Sequence, residues 1–169
     1  MRILIILIFL ISNSFASEIS NIKNLVINKE LTKYEKLTFL DSKKKEINIE
    51  NFKGNLIMLN FWATWCAPCK EEMPSLDLLK NNSNLDNLKI FPINVGQESE
   101  EKAIKFFKDL KIKNLNTYFD SQITLAKKFG LRGIPTTIFL NKEGFEFARI
   151  IGSINFENEE FIKWLSNFN

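Results

Sequence analysis

The stretch Leu56-Ile57-Met58-Leu59-Asn60-Phe61-Trp62-Ala63-Thr64-Trp65-Cys66-Ala67-Pro68-Cys69-Lys70-Glu71-Glu72 runs from a continuous apolar segment, through two cysteines, into a helix-like one. An unbroken apolar run is expected of a strand buried on both faces. From Ala67 to about Leu79, Met73, Leu76 and Leu79 recur at helical spacing, with Pro74 inside the segment, where a kink is expected. The cysteines thus stand at the C-terminal end of a strand and on the first turn of a helix. There a thiol lies among unpaired backbone N–H groups, at the positive end of the helix dipole, and its thiolate is stabilised as a nucleophile. The second thiol is close enough to close a small ring, so the pair reads as redox-active.

Two other uses of the pair are weaker. A four-residue disulfide ring would contribute roughly 2 kcal/mol, against about 3 for a 15-residue loop, which is a poor staple. A structural zinc site wants four Cys or His ligands, and the chain has two cysteines and no histidine. Lys70 stands where a haem-attachment motif would place its histidine.

Outward from the motif, Leu37–Leu40 and Glu46–Ile49 are short β-like runs around the polar turn 41–45, a hairpin signal. Downstream, 88–95 reads as a strand and 100–110 as a helix with Ala103, Ile104, Phe107 and Leu110 on one face. Residues 117–119 suggest a short strand, and 123–129 a helix stopped by Gly130. Residues 134–140 and 146–151 form a second hairpin around Asn141-Lys142-Glu143-Gly144, followed by a closing helix over 157–168. This order of elements predicts an α/β domain, a mixed central sheet with helices on both faces.

At the N-terminus, Arg2 precedes an apolar run from Ile3 to Ile11, and Ser14 and Ala16 are the small residues a signal peptidase needs. A secretory signal over residues 1–16, an N-terminal segment over 17–36 and a domain over 37–169 are expected. An uncleaved anchor is the other reading, although the apolar core is about half of the roughly 20 residues that span a bilayer. Export would place the cysteines where a dithiol left alone becomes a disulfide, so a reductant working there needs a partner to recharge it.

The formal charge of the whole chain is +3, and removal of Arg2 with the signal leaves 22 basic against 20 acidic residues, or +2. Neither nucleic-acid nor membrane-surface binding is predicted from that balance, and membrane association is expected only if the N-terminal segment stays uncleaved. Lys43-Lys44-Lys45, flanked by Asp41 and Glu46, reads as a solvated turn.

The run 61–69, with Pro74 five residues beyond Cys69 and Gly133-Ile134-Pro135-Thr136-Thr137 far downstream, resembles the thioredoxin superfamily. Within it, the chain is similar to the TlpA/ResA-like extracytoplasmic thiol-disulfide oxidoreductases, over roughly residues 37–168. The resemblance implies a thioredoxin-like fold with an N-terminal β-hairpin and a helix-containing central insertion at about 97–117. It also implies that the Ile134-Pro135 peptide is cis and faces the cysteines, leaving the Ile134 backbone free to pair with an extended partner segment.

Cys66 is expected to be the exposed attacking thiolate and Cys69 the resolving thiol. Thioredoxins usually offer a buried aspartate in the preceding strand as proton acceptor for the latter, but Asn60 stands there. Glu72, on the Cys69 face of the helix, is the expected acid/base group, as the equivalent glutamate is thought to be in ResA-like proteins; a solvated, dipole-stabilised glutamate is the plainer reading. Trp65, Pro68, Ile134 and Pro135 are expected to bind substrate, and Trp62 to be core. Ala67-Pro68 brings no cation to the thiolate, which favours a reductant over an oxidant; the two extremes of this fold, about −270 and about −120 mV, differ by about 7 kcal/mol of dithiol stabilisation.

The family likeness therefore implies an exported thiol-disulfide reductase in the periplasm or on the outer face of the bacterial inner membrane. It would take electrons from a membrane dithiol donor and pass them to disulfide-containing proteins, apocytochrome c or a copper-centre assembly protein among them, without metal or other cofactor. An exported disulfide oxidase, a thiol peroxidase and a non-enzymatic Cu(I) chaperone are the alternatives.

Overall fold

Every residue of β4 (Leu56–Trp62) is buried, as expected of a strand covered on both faces. The computed structural model describes residues 22–120 and 122–169, so the expected signal over residues 1–16 lies outside the described residues. Around β4 the chain forms β1 (Leu25–Lys33), β2 (Thr38–Asp41), β3 (Glu46–Asn48), α1 (Ala67–Leu79), β5 (Leu88–Asn94), α2 (Glu100–Asp109) and β6 (Tyr118–Phe119). It continues with α3 (Thr124–Lys128), β7 (Thr136–Leu140), β8 (Phe145–Ile151) and α4 (Glu159–Ser166).

The described strands make one mixed sheet in the order β1-β8-β7-β4-β5-β6-β2-β3. β4, β5 and β6 run parallel, and β7 lies antiparallel against β4 with Asn60 opposite Thr137 and Phe61 opposite Thr136. Side chains alternate along β4. Leu56, Met58 and Trp62 join one core with Met73 and Leu76 of α1, Phe107 of α2 and Phe161 of α4; Ile57, Leu59 and Phe61 join a second with Leu125 of α3, Phe129 and Ile138. By that alternation Asn60 falls on the α1 face, between Met58 and Trp62.

The hairpin β2–β3, the insertion helix α2 and the terminal hairpin and helix stand where the sequence places them. The turn between β2 and β3 is held by Asp41 Oδ1, which accepts from the N–H groups of Lys43 and Lys45 at 2.8 and 2.9 Å. Lys43, Lys44 and Lys45 are exposed. α1 covers Ala67–Leu79 without interruption, Pro74 included; its missing N–H leaves the Lys70 carbonyl without its helical donor.

One strand escapes the sequence reading, which starts the domain at residue 37. β1 pairs with β8 from Leu25 opposite Ile150, with a register shift between Ile27 and Thr32. It is a sheet edge, largely exposed, with Val26, Ile27 and Leu31 among the exposed apolar residues. Burying so little, it carries no clean alternation to be recognised by.

Candidate active site

α1 begins at the cysteines. Cys66 is its N-cap, with extended backbone (φ −84°, ψ 101°), and its sulfur accepts from the Cys69 N–H at 3.3 Å, satisfying a helix-start donor. Ala67 and Pro68 fill the next two positions, where a proline's missing N–H costs nothing. The two sulfurs form a disulfide with the Cα atoms 5.3 Å apart. The sequence leads one to expect an exposed Cys66. In the disulfide it is only 4% exposed, because its sulfur is turned inward onto Cys69 and the first helical turn, and Cys69 is fully buried. Trp65 beside them is 66% exposed and Pro68 is exposed; Trp62 is fully buried against Phe106 and Phe107, with ring centroids 4.9 and 5.1 Å away.

The Ile134-Pro135 peptide is cis. Because Thr136 is opposite Phe61 in the β4–β7 ladder, Pro135 is level with Trp62, the last residue of β4, and Ile134 lies just past it, alongside the loop that leads to the cysteines. The Thr136 hydroxyl donates to the Gly133 carbonyl at 2.8 Å, and the Gly152 N–H to the Pro135 carbonyl at 2.9 Å. Among the described residues the N–H and C=O of Ile134 have no partner. Ile151, opposite Thr136, adds an apolar side chain 51% exposed at the same end of the sheet.

Glu72 is 2% exposed, unlike its neighbour Glu71 at the surface. Its Oε1 accepts from Asn60 Nδ2 at 2.8 Å and its Oε2 from the Ile154 N–H at 3.4 Å. Burial pushes its carboxyl up to about 8, while the hydrogen bonds from Asn60 and Ile154 pull the other way without cancelling it. A carboxyl of that affinity, one helical turn from a thiol, is matched to exchange a proton with it near neutral pH.

Glu98, at the start of the insertion, has no signal in the sequence, where it reads as one more solvated acid. Its side chain is 7% exposed. It accepts from the Thr64 N–H at 2.8 Å, from the Thr64 hydroxyl, and from Asn94 Nδ2 at 2.9 Å, with Lys102 Nζ at 3.3 Å. A Cβ on Gly96 would meet Glu98 Oε1 at 2.7 Å, so glycine is what lets the loop close this far. At the other end of the insertion, Asp77 of α1 accepts from the N–H groups of Lys113, Asn114 and Leu115. The insertion is thereby fastened to the active-site loop and to α1.

No group of three or more His, Cys, Asp or Glu residues positioned for a metal occurs among the described residues, and no described helix is long and apolar enough to cross a membrane.

The chain is similar to thiol-disulfide oxidoreductase ResA of Bacillus subtilis, 32% identical over 114 residues, a match spanning 68% of this chain and 63% of that protein. The structure of StoA from Bacillus subtilis is similar with a TM-score of 0.61 and 30% identity, covering 75% of this chain and 95% of that one. A secreted thiol-disulfide isomerase of Corynebacterium glutamicum, 21% identical, superposes with a TM-score of 0.72 over 87% of this chain and 94% of its own, a likeness of fold. The AhpC/TSA family model matches residues 27–145, from β1 to the start of β8. With a strand, Cys-x-x-Cys and helix set beside a cis-proline loop on this sheet, the chain belongs to the thioredoxin-like AhpC/TSA family.

Proposed function

We propose that the protein is an exported thiol-disulfide reductase working through a Cys66-Cys69 dithiol/disulfide cycle. The observation that carries the reading is the assembly at one end of the sheet. A helix-capping Cys66 bonded to Cys69, a cis Ile134-Pro135 loop with a free Ile134 backbone and a buried Glu72 all meet there. The thiol-disulfide oxidoreductase names of the relatives support it.

In the cycle, the Cys66 thiolate attacks a substrate disulfide; one S–S bond breaks, a mixed disulfide forms and the first substrate thiolate leaves. Cys69 then gives its proton to the Glu72 carboxylate and attacks Cys66, forming the intramolecular disulfide and releasing the second substrate thiolate. Two electrons pass from the dithiol to the substrate, which takes up two protons. The Ile134 backbone beside the buried Pro135, together with the exposed Trp65 and Pro68, receives the partner as an extended segment.

The direction rests on Ala67-Pro68, which brings no cation or extra donor to the thiolate, as a strong oxidant would need. A membrane dithiol donor would recharge the pair outside the cytoplasm, in the periplasm or at the outer face of the inner membrane, and the substrates implied by the resemblance are apocytochrome c or a copper-centre assembly protein. The test is the midpoint potential of the mature protein against glutathione or dithiothreitol couples, followed by tryptophan fluorescence. A value below about −220 mV supports the reductase; one above about −150 mV makes the protein an oxidant.

A further inference from the structure

Asn60, like every residue of β4, has no exposed surface, and it lies between Met58 and Trp62 on the α1 face. A polar side chain there is costly unless its atoms are paired. Its Nδ2 donates to Glu72 Oε1 at 2.8 Å and to Thr137 Oγ1 at 3.0 Å, while its Oδ1 has no partner. An apolar residue of similar shape would avoid that unpaired oxygen, so packing alone does not account for the amide. Its two contacts do: one to Glu72, a buried acid one helical turn from Cys69 on α1, the other to the strand that follows the cis-proline.

We propose that Asn60, braced by Thr137, is the positioning residue of Glu72, fixing the carboxyl on the Cys69 face and answering its negative charge. This rests on the reading of Glu72 as the proton acceptor of Cys69. The amide is uncharged, so it holds the carboxylate without adding a second titrating group. The other groups around Glu72 do not take that role. On α1 the nearest titratable neighbours are Cys69 and the exposed Glu71; β4 and β7 offer the uncharged Asn60 and Thr137; the loop after β8 offers the Ile154 N–H. Beyond it, Lys23 and Glu157 line an open cleft of about 530 Å³ together with Glu71 and Ile154.

The test follows the Glu72 carboxyl by carbon NMR in the oxidised protein, where the disulfide removes both thiols from the titration. In Asn60→Leu the Glu72 midpoint should move up by about one pH unit or more, a tenfold gain in proton affinity, because a hydrogen bond to the charged form is lost. In Asn60→Asp, which keeps the shape, two carboxyls in contact should titrate in two coupled steps. A Glu72 midpoint unmoved in either folded variant overturns the proposal. If Asn60→Leu does not fold, Asn60→Asp decides alone.

The Cys69 reading is tested separately by the pH profile of mixed-disulfide resolution. If Glu72→Gln leaves that profile unchanged, the proton-acceptor role fails whatever Asn60 does. If Glu72→Gln flattens it, Asn60→Leu should shift the profile in the parent protein and do nothing in the Glu72→Gln background.

Discussion

The Glu98 carboxylate holds Thr64 at two points, the backbone N–H at 2.8 Å and the hydroxyl, across 34 positions of sequence. Thr64 is two residues before Cys66, so the insertion containing α2 reaches the active-site loop through one acid. Burial alone would push Glu98 up, but the hydrogen bonds from Asn94 and Thr64 and the contact with Lys102 outweigh it and hold the carboxyl below its ordinary value.

Glu98→Ala should therefore destabilise the protein by about 2 kcal/mol, since it strands the Thr64 N–H and the Asn94 amide. For a domain of this size that is roughly 4–8 °C in Tm, read by thermal denaturation. Glu98→Gln keeps an acceptor and should lose less. With its folded affinity depressed, the Glu98 contribution is present above the ordinary carboxylate value of 4.5 and fades as pH falls through the folded value.

Glu72 works in the opposite sense. Its folded affinity is raised, from 4.5 to about 8, so the folded state binds the proton more tightly than the unfolded one. Stability from this group is complete below about pH 4.5 and is lost as pH rises towards 8, on the order of 4 kcal/mol over the window. Chemical denaturation of the oxidised protein across pH 4 to 9 should show that decline. Glu72→Gln should flatten it and be the more stable protein at pH 9.

The fold was legible wherever burial imposes a period. β4 announces itself as an apolar run, α1 as a helix from Met73, Leu76 and Leu79, and α4 from the apolar face it turns to Phe139. The cysteines, Pro135 and Glu72 stand out because their residue types are rare or their spacing specific. β1 does not, because an exposed edge strand has no second covered face to impose alternation. Glu98, Asp77 and Thr137 were hidden for another reason: each acts through contacts 34 to 77 positions away, and an isolated acid or threonine looks the same whether solvated or buried.

Glu146 is fully buried in β8, accepting from the Tyr34 hydroxyl at 2.8 Å and from Arg149 Nε and Nη2 at 2.7 and 2.9 Å. This ties the β1–β2 connection to the sheet. Burial and the Glu146 carboxylate together push the Tyr34 hydroxyl up to about 12. Glu146→Ala should cost about 3–5 kcal/mol in urea denaturation, because it leaves the part-buried Arg149 without its counter-charge. Tyr34 should then titrate closer to its ordinary value of 10, visible in its ultraviolet absorbance.

Trp62 and Trp65 are three residues apart and should respond in contrary ways. Trp62 is fully enclosed by Phe106, Phe107 and the α1 face, so Trp62→Ala should cost about 3–5 kcal/mol and loosen α2 with it. Trp65 is 66% exposed beside the disulfide and packs little, so Trp65→Ala should leave Tm within about 2 °C of the parent. If the Trp65 face receives partner proteins, Trp65→Ala should slow reduction of a protein disulfide, such as that of insulin, about tenfold while reduction of a small disulfide such as oxidised glutathione changes little. Equal slowing of both would place Trp65 in the handling of the Cys66 sulfur itself, and no slowing of either would remove it from the partner surface.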